Sequence, residues 1–261
     1  MLILKSRKSK QYFCGGNLHF ALLFDLTKFE ETQIMCNRKI LKSPPPFVAE
    51  RLGAELDDLF FPISDDVQYA FDHPYCPIVK ADNPNVLCTN YRWGLIPANW
   101  QKTPKEIWDS TYNAKIEYLF KRYAYKNITH QRCLVPSTSY FEYHWNDAKG
   151  KTKTLYEVIH HDIEIFTLAG LYSTYVSTDG EIYNTYTVIT TEANDRMRFV
   201  HNKDAQKDYH RMPLMLNPED ERSWLDTKIP YMDFAYPNYQ PRLIAEPAEG
   251  ERLPPPQLSL F

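Results

Sequence analysis

Three stretches rich in Ile, Val, Thr, Tyr and Phe follow one another late in the chain, and they constrain its fold more than any other feature. They cover residues 154–160, 164–172 and 182–190. Asp179 and Gly180, a pair typical of tight turns, separate the last two stretches. The pattern predicts that these two stretches form an antiparallel hairpin.

Helical signals occur on both sides of this β-rich region. Apolar residues recur at roughly helical spacing over 47–60, directly after a run of prolines. Thr191 is expected to cap a short helix that ends near Phe199, and Pro218 to open another helix that holds Trp224. Helices together with mostly antiparallel strands indicate an α+β fold.

Composition excludes several classes of protein. The chain has 261 residues and a formal net charge of −3. No apolar run approaches the ~18–20 residues that span a bilayer, and the charge argues against a protein coated in positive charge for nonspecific nucleic-acid binding. The five cysteines contain no CxxC pair, so neither a disulfide framework nor a zinc knuckle fits their spacing. These observations predict a cytoplasmic protein with reduced thiols.

Three parts are expected along the chain. Residues 1–34 form an atypical basic and apolar extension, which lacks the cleavage pattern of a signal peptide. Met35 could itself be a start residue, so this extension could be a mis-assigned start, a removed segment, or a part that stays attached. Residues 35–235 form the main domain. Residues 236–261 are rich in proline and charge, and are expected to lie outside the core.

Seven short segments carry more Trp, Asn, Glu, His and Arg than packing requires. They are, in chain order, residues 35–38, 93–100, 113–117, 132–136, 140–143, 200–202 and 211–213. Taken in this order, they resemble the SRAP family, the SOS-response-associated peptidases also known as abasic-site-processing proteins. The resemblance covers most of residues 35–225. It implies an SRAP-like fold, with a mostly antiparallel, barrel-like β-sheet core and surrounding helices.

The resemblance implies a reaction with abasic DNA. Family members hold single-stranded DNA, and a cysteine that becomes N-terminal after removal of Met forms a thiazolidine crosslink with the ring-opened aldehyde of an abasic site. Cys36 is the matching residue. Its neutral α-amine would attack the aldehyde, and its thiol would then close on the imine carbon. Because an amide nitrogen is not nucleophilic, this chemistry requires initiation at Met35 or removal of residues 1–34.

The resemblance also assigns three further catalytic residues. Asn113 matches the asparagine that orients the cysteine and the lesion, and Glu142 matches the catalytic carboxylate. His201 matches the histidine that donates a proton to the deoxyribose ring oxygen. His210 is an alternative, because it directly precedes the Arg-Met-Pro segment that the family usually holds closer to its histidine.

Single-stranded DNA containing abasic sites is the expected partner, and basic residues are expected to track its phosphates. Residues 101–133 carry seven Lys or Arg against three Asp or Glu, which makes a local basic patch. Arg38 and Arg211 are expected to extend this patch. Lys115 stands where the family usually has Arg, and keeps the charge but not the bidentate fork.

Aromatic residues are expected to contact the DNA bases. Trp93 and Pro97, with Trp100, could stack on bases or wedge them apart, a combination typical of single-strand grooves. For the two tryptophans, a place in the core is the alternative.

The last five residues resemble the bacterial sliding-clamp-binding pentapeptide. Leu258, Leu260 and Phe261 would be apolar anchors for a pocket on the clamp, and Gln257 would add a directional hydrogen bond. A Pro-rich spacer keeps such an anchor extended. The alternative is a hydrophobic terminus that folds back on its own domain.

These features favour a protein that binds single-stranded DNA and shields abasic sites by a covalent crosslink in the DNA damage (SOS) response. Two alternatives remain: a cysteine peptidase or amidohydrolase that uses Cys36 and processes itself, and a clamp-tethered module that binds DNA without a covalent bond. The protein is expected to act as a monomer, without cofactor or metal, in the cytoplasm and at the nucleoid when bound to DNA.

Overall fold

The computed structural model describes residues 37–57, 63–147, 150–202 and 210–250. Cys36 and the terminal residues Gln257, Leu258, Leu260 and Phe261 lie outside these ranges. Among the described residues there are fourteen strands and four α-helices. The strands are β1 (Arg38–Ile40), β2 (Glu55–Leu56), β3 (Gln68–Tyr69), β4 (Tyr75–Lys80), β5 (Asn83–Trp93), β6 (Asn113–Lys115), β7 (Arg132–Ser137), β8 (Ser139–Trp145), β9 (Lys153–His160), β10 (Phe166–Val176), β11 (Ile182–Glu192), β12 (Arg211–Pro213), β13 (Met215–Leu216) and β14 (Leu243–Pro247). The helices are α1 (Pro45–Leu52), α2 (Lys105–Trp108), α3 (Asp195–Val200) and α4 (Glu221–Leu225).

A closed five-stranded barrel forms the centre of the protein. Its strands follow the order β11-β10-β7-β4-β5, and a parallel pairing of β5 with β11 closes the ring. The β10–β11 pair is the antiparallel hairpin predicted from the sequence, with Gly170 opposite Val188 and Val176 opposite Ile182. The barrel and the helices together confirm the α+β, barrel-like fold class.

The barrel interior is filled by aromatic and small side chains. Trp93, Phe166 and Tyr186 are all fully buried. Gly170 is required by this packing, because a Cβ at that position would lie 2.8 Å from both Cys133 Sγ and the Thr187 carbonyl oxygen.

A second, open sheet of five strands has the order β14-β9-β8-β1-β3. Residues of β9 alternate between buried and exposed, as expected of a sheet with one covered face. Thr154, Tyr156, Val158 and His160 define the buried side, which we call the inner face. Lys153, Leu155, Glu157 and Ile159 define the outer face.

The helices differ from the sequence-based expectations at their ends. The helix predicted over 47–60 ends at Leu52, because Gly53 adopts a left-handed conformation (φ 60°) and its N–H bonds back to the Glu50 carbonyl at 3.1 Å. The cap of α3 is Asn194, whose side chain accepts the N–H of Met197 at 3.0 Å. Thr191, predicted to be the cap, is instead buried in β11. Trp224 lies in α4 as predicted, after a 3₁₀ turn over Pro218–Asp220.

The expectation that the chain leaves the core at residue 236 is wrong for its first part. Strand β14 pairs with β9 along its whole length, from Leu243 opposite His160 to Pro247 opposite Tyr156. Ala245 is only 3% exposed. The proline-rich composition concealed this strand. Proline has no N–H to donate to a neighbouring strand, but an edge strand tolerates that loss. In the described ranges, no helix is long and apolar enough to cross a membrane.

Candidate active site

Glu142 lies on the inner face of β8, at the joint between this strand and α3. Residues Tyr140, Glu142 and His144 face the inner side, since their partners on β9 are Val158, Tyr156 and Thr154. The Tyr140 hydroxyl donates to Met197 Sδ at 3.7 Å, and His144 Nδ1 lies 2.7 Å from the Phe199 carbonyl oxygen. Glu142 therefore stands between two residues that contact α3.

The rings next to Glu142 in sequence do not share its face. Phe141 and Tyr143 lie opposite Glu157 and Leu155 of β9, on the outer face. The backbone N–H of Tyr143 donates to Glu142 Oε1 at 3.0 Å. The surroundings of this carboxylate are thus set by alternate residues of β8 and by α3, and not by its sequence neighbours.

Both candidate histidines lie at the C-terminal end of α3. His201 is the C-cap residue, 5% exposed, and its N–H donates to the Met197 carbonyl at 2.7 Å. His210 Nδ1 lies 2.5 Å from the His201 carbonyl oxygen, and the two rings are 6.5 Å apart at an angle of 89°. His144, two residues after Glu142, and Asn202, directly after His201, make contacts across the same strand-helix joint.

Two residues that sequence reasoning missed hold this joint together. Asn202 accepts the Trp145 N–H at 2.7 Å and donates to the Trp145 carbonyl at 2.8 Å. The His144 ring stacks on Phe199 with a centroid distance of 4.5 Å. Their positions in the sequence could have identified both residues. Asn202 follows His201 directly, and His144 follows Glu142 at the two-residue period of a strand.

Asn113 and Lys115 lie on a different part of the scaffold. They belong to β6, which runs parallel to the end of β11 with Asn113 opposite Val188 and Lys115 opposite Thr190. Asn113 is half-buried, whereas Lys115 is exposed. Because β11 continues through Ala193 into α3, both residues are tied to the strand that leads to His201.

Arg211 is a packing residue and not an open phosphate contact. Its guanidinium donates to both carboxylate oxygens of Glu117, at 3.0 and 2.9 Å, and to the Thr190 carbonyl at 2.7 Å. Arg211 is 9% exposed. A bidentate pair of this kind uses donors that a phosphate would need, so these contacts do not support the expected phosphate contact of Arg211, which stays a prediction.

Trp93 and Pro97 are also enclosed by the fold. The Trp93 indole has no exposed surface, donates its N–H to the Tyr112 carbonyl at 2.9 Å, and stacks on Tyr186. Pro97 is buried as well. A base needs an open ring face to stack on, so we leave both residues out of the DNA surface. Trp100 is half-buried and lies 6.0 Å from the exposed ring of Tyr123.

Arg38 stands on the outer face beside two aromatic rings. Its Nη1 donates to the Tyr143 hydroxyl at 2.8 Å, and its guanidinium carbon lies 4.7 Å from the centre of that ring. The same carbon lies 5.4 Å from the ring of Tyr69 on β3. These contacts orient a half-buried cation at the solvent side of the sheet.

The cysteines inside the described ranges are poor nucleophiles. Cys76, Cys88 and Cys133 are free and buried. Burial raises the pKa of the Cys88 and Cys133 thiols, which disfavours the reactive thiolate. Within the same ranges, no three His, Cys, Asp or Glu side chains come together in a group that could hold a metal ion.

Comparison with known proteins decides the family. The sequence profile of the SOS response associated peptidase (SRAP) family matches residues 35–242. The chain belongs to the SRAP family. The match includes all seven segments that carry the resemblance, and it extends to residue 242.

Named SRAP-type relatives come from bacteria and vertebrates. The abasic site processing protein YoqW of Bacillus subtilis is 32% identical over 161 residues, which are 61% of this chain and 66% of the relative. The abasic site processing protein HMCES of Gallus gallus is 26% identical, over 56% of this chain and 47% of the relative. The alignments thus span less than two thirds of either relative.

A solved structure shares the fold. A protein from Bacteroides thetaiotaomicron superposes with a TM-score of 0.71 and 28% sequence identity, over 81% of this chain and 91% of that one. The barrel and the open sheet of the described residues therefore form an SRAP-like architecture.

Proposed function

We propose that this protein binds single-stranded DNA and forms a covalent thiazolidine link with abasic sites through Cys36, once Cys36 is the N-terminal residue. The joint between β8 and α3 supports the proposal, because His144 and Trp145, which follow Glu142 in β8, contact Phe199 and Asn202, which flank His201. The relatives' names, abasic site processing proteins, support the class of substrate.

The proposed reaction needs no cofactor. His201 donates a proton to the deoxyribose ring oxygen while Glu142 takes one from the C1′ hydroxyl, which opens the sugar to its aldehyde. The α-amine of Cys36 adds to this aldehyde, and loss of water gives an imine. The Cys36 thiol then adds to the imine carbon, and its proton passes to the nitrogen. The product is a five-membered ring, formed without net oxidation or reduction.

Cys36 is favoured as the nucleophile on two grounds. The described cysteines are buried, and burial raises the thiol pKa of Cys88 and Cys133, which disfavours a competing thiolate at these two residues. Only an N-terminal cysteine offers an amine and a thiol on adjacent carbons. The residue bonded to Cys36, Asn37, lies at the entrance to β1, where its carbonyl accepts the Ala70 N–H at 2.9 Å. Strand β1 in turn pairs with β8, the strand of Glu142.

The test is a crosslinking assay on single-stranded DNA with one abasic site, resolved on a denaturing gel. A chain that starts at Cys36 should give a shifted DNA band that survives denaturation. Adding one alanine before Cys36 keeps the thiol but converts the amine to an amide, and should abolish the band. Cys36→Ala should abolish it too, while Lys42→Ala, an exposed change just after β1, should leave it intact. A band that persists in the alanine-extended chain would overturn the proposal.

A peptidase is the second candidate, favoured by the name of the matched family. The expected peptidase reaction is self-cleavage before Cys36, which would supply the free α-amine. Intact-mass measurement of the 261-residue chain over time tests this: release of a peptide ending at Met35 supports self-processing, and an unchanged mass argues against it. Glu142→Gln should slow the release if the same site serves both reactions.

Clamp binding by Gln257, Leu258, Leu260 and Phe261 remains a prediction from the sequence. A pull-down with purified sliding clamp tests it, since deletion of residues 257–261 should abolish retention. Unaltered retention would show that the tail is not the anchor.

A further inference from the structure

Cations and aromatic rings alternate across the outer face of the open sheet. The row runs Tyr69, Arg38, Tyr143, Lys153 and Trp145, and we call it the outer row. Its members come from β3, β1, β8 and β9, which are consecutive neighbours in the sheet. The row therefore crosses the strands and does not follow one of them.

Tyr143 holds a cation from each neighbouring strand. The Arg38 guanidinium lies 4.7 Å from its ring centre, and the Lys153 Nζ lies 3.6 Å from it. At each end the row continues onto a further ring: Arg38 is 5.4 Å from Tyr69, and Lys153 is 5.6 Å from Trp145. Ring contacts of this kind position a cation while leaving its charge available, because they are worth only about 0.5–1 kcal/mol at exposed sites.

The two cations keep their charge for an external anion. Among the described residues, neither Arg38 nor Lys153 forms an ion pair. Asp147, an acidic residue of the turn between β8 and β9, accepts the N–H groups of Lys151 and Thr152 at 3.1 and 2.7 Å. The row thus presents two fixed positive charges that no described carboxylate neutralises.

Open rings border the cations. Tyr69 is 36% exposed and stacks on Phe71, which is 45% exposed, at 5.9 Å between centroids. Farther along the outer face the charge changes sign, since Glu157 of β9 lies directly opposite Glu246 of β14. The basic and aromatic part of the outer face is therefore bounded, and it runs from β3 to the β8–β9 hairpin.

We infer that the outer row is a track for undamaged single-stranded DNA, with phosphates at Arg38 and Lys153 and bases on the Tyr69–Phe71 pair. The inference rests on the proposed function for the identity of the nucleic acid. Alternating charges and open rings fit a polyanion with planar, unpaired bases. A duplex would hide its base faces, so the rings would have no partner.

The test compares two lysines of one hairpin, in the full chain and with DNA that contains no abasic site. Lys153 carries the row, whereas the exposed Lys151 lies two residues earlier. We expect Lys153→Ala to weaken binding to a fluorescent oligo-dT about 5- to 10-fold at 50 mM salt, and to reduce the slope of log Kd against log salt by about 0.7, the value for one lost single-strand phosphate contact. Lys151→Ala removes the same net charge and should change neither quantity by more than the measurement error.

Each outcome decides. Equal affinities for Lys153→Ala, Lys151→Ala and the unmodified chain would overturn the inference, as would a loss confined to RNA or duplex oligonucleotides. Because the DNA has no abasic site, the result does not depend on Cys36. A Lys153-specific loss, together with no crosslink to abasic DNA by a chain that starts at Cys36, would support the track and overturn the proposed chemistry. Crosslinking without a Lys153-specific loss would do the reverse.

Discussion

The closed barrel and the open sheet distribute their polar residues in opposite ways. Every barrel strand has a neighbour on both sides, and the interior holds fully buried residues such as Trp93 and Phe166. The open sheet has two edges, β14 and β3, and its two faces carry Glu142 on one side and Arg38 on the other. The difference indicates that the barrel supplies stability, while the sheet, with α3 against it, presents the candidate chemistry.

The largest expected effect belongs to the barrel. Trp93→Ala removes an indole with no exposed surface and its hydrogen bond to the Tyr112 carbonyl. We expect it to lower the free energy of unfolding by about 3–5 kcal/mol, measured by chemical denaturation. The exposed, outer-face change Ile159→Ala is the control and should cost far less. A folded, fully stable Trp93→Ala variant with weakened DNA binding would contradict the division, because it would make Trp93 a contact residue.

Glu142 tests the sheet in the converse way. Glu142→Gln keeps the shape and removes the proton-transfer group, so crosslinking with abasic DNA should slow by at least about 100-fold, with a change in the pH profile of the rate. The free energy of unfolding should change little. The matched control is Glu157→Gln, on the opposite face of the same sheet. A Glu157→Gln variant that is equally slow would show that the loss is one of surface charge.

Arg211 sharpens the boundary between the two regions. Arg211→Lys keeps the charge but loses the bidentate contact with Glu117 and the bond to Thr190. We expect a loss of about 1–2 kcal/mol in the free energy of unfolding, a reduced figure because the Glu117 side chain is 31% exposed. The salt dependence of DNA binding should stay unchanged. A smaller salt slope would restore the phosphate-contact role expected from the sequence.

The smallest effect is a pH dependence confined to the open sheet. Burial lowers the pKa of His160, and its Nδ1 accepts the Asp162 N–H at 3.0 Å, which requires the neutral ring. The unfolded chain therefore takes up the proton more readily, so this stabilisation is present above about pH 6.5 and is lost as the pH falls through the lowered pKa of the folded state. His161 and Arg242 lower the pKa of Asp162, and Arg242 lowers that of Glu219 to about 2, so both carboxylates titrate below this window.

Hydrogen exchange of the β9–β14 pair measures this effect. Its amides should lose protection on going from pH 7 to 5, after correction for intrinsic exchange rates, while the β10–β11 amides keep theirs. His160→Gln should remove the difference. Equal loss in the barrel would show a global response and not one of the open sheet.

Local signals in the sequence were sufficient for the hairpin, for α4 and for the fold class. The alternation of β-branched residues and the Asp179-Gly180 turn specify β10 and β11, because a hairpin pairs two segments that are close together in the sequence. The resemblance to SRAP proteins was confirmed by the family match over 35–242. Glu142 and His201 were both named from it, and their sequence neighbours His144 and Asn202 make contacts between β8 and the end of α3.

Long-range contacts explain what the sequence did not show. Arg211 carries a charge and Trp93 a ring, and both are typical of DNA contacts. In the fold, however, Arg211 binds Glu117 and Trp93 stacks on Tyr186, and both partners are far away in the sequence. Lys39, a residue type that is mostly exposed, is fully buried on the inner face. The outer row is likewise invisible in one dimension, since Arg38 meets Tyr143 only through the pairing of β1 with β8.

The β5–β11 pairing that closes the barrel cannot form until β11 has been synthesised. Arg92 and Trp93 at the end of β5 find their partners, Thr185 and Tyr186, about ninety residues later. At about 5–20 residues per second, a ribosome needs on the order of 5–20 s to make that stretch. During this interval the β5 edge has no β11 to cover it, and an uncovered edge is a template for pairing with other chains. The nascent protein therefore passes through a vulnerable period whose length is set by translation speed, and slower translation between residues 93 and 185 should increase its need for chaperones.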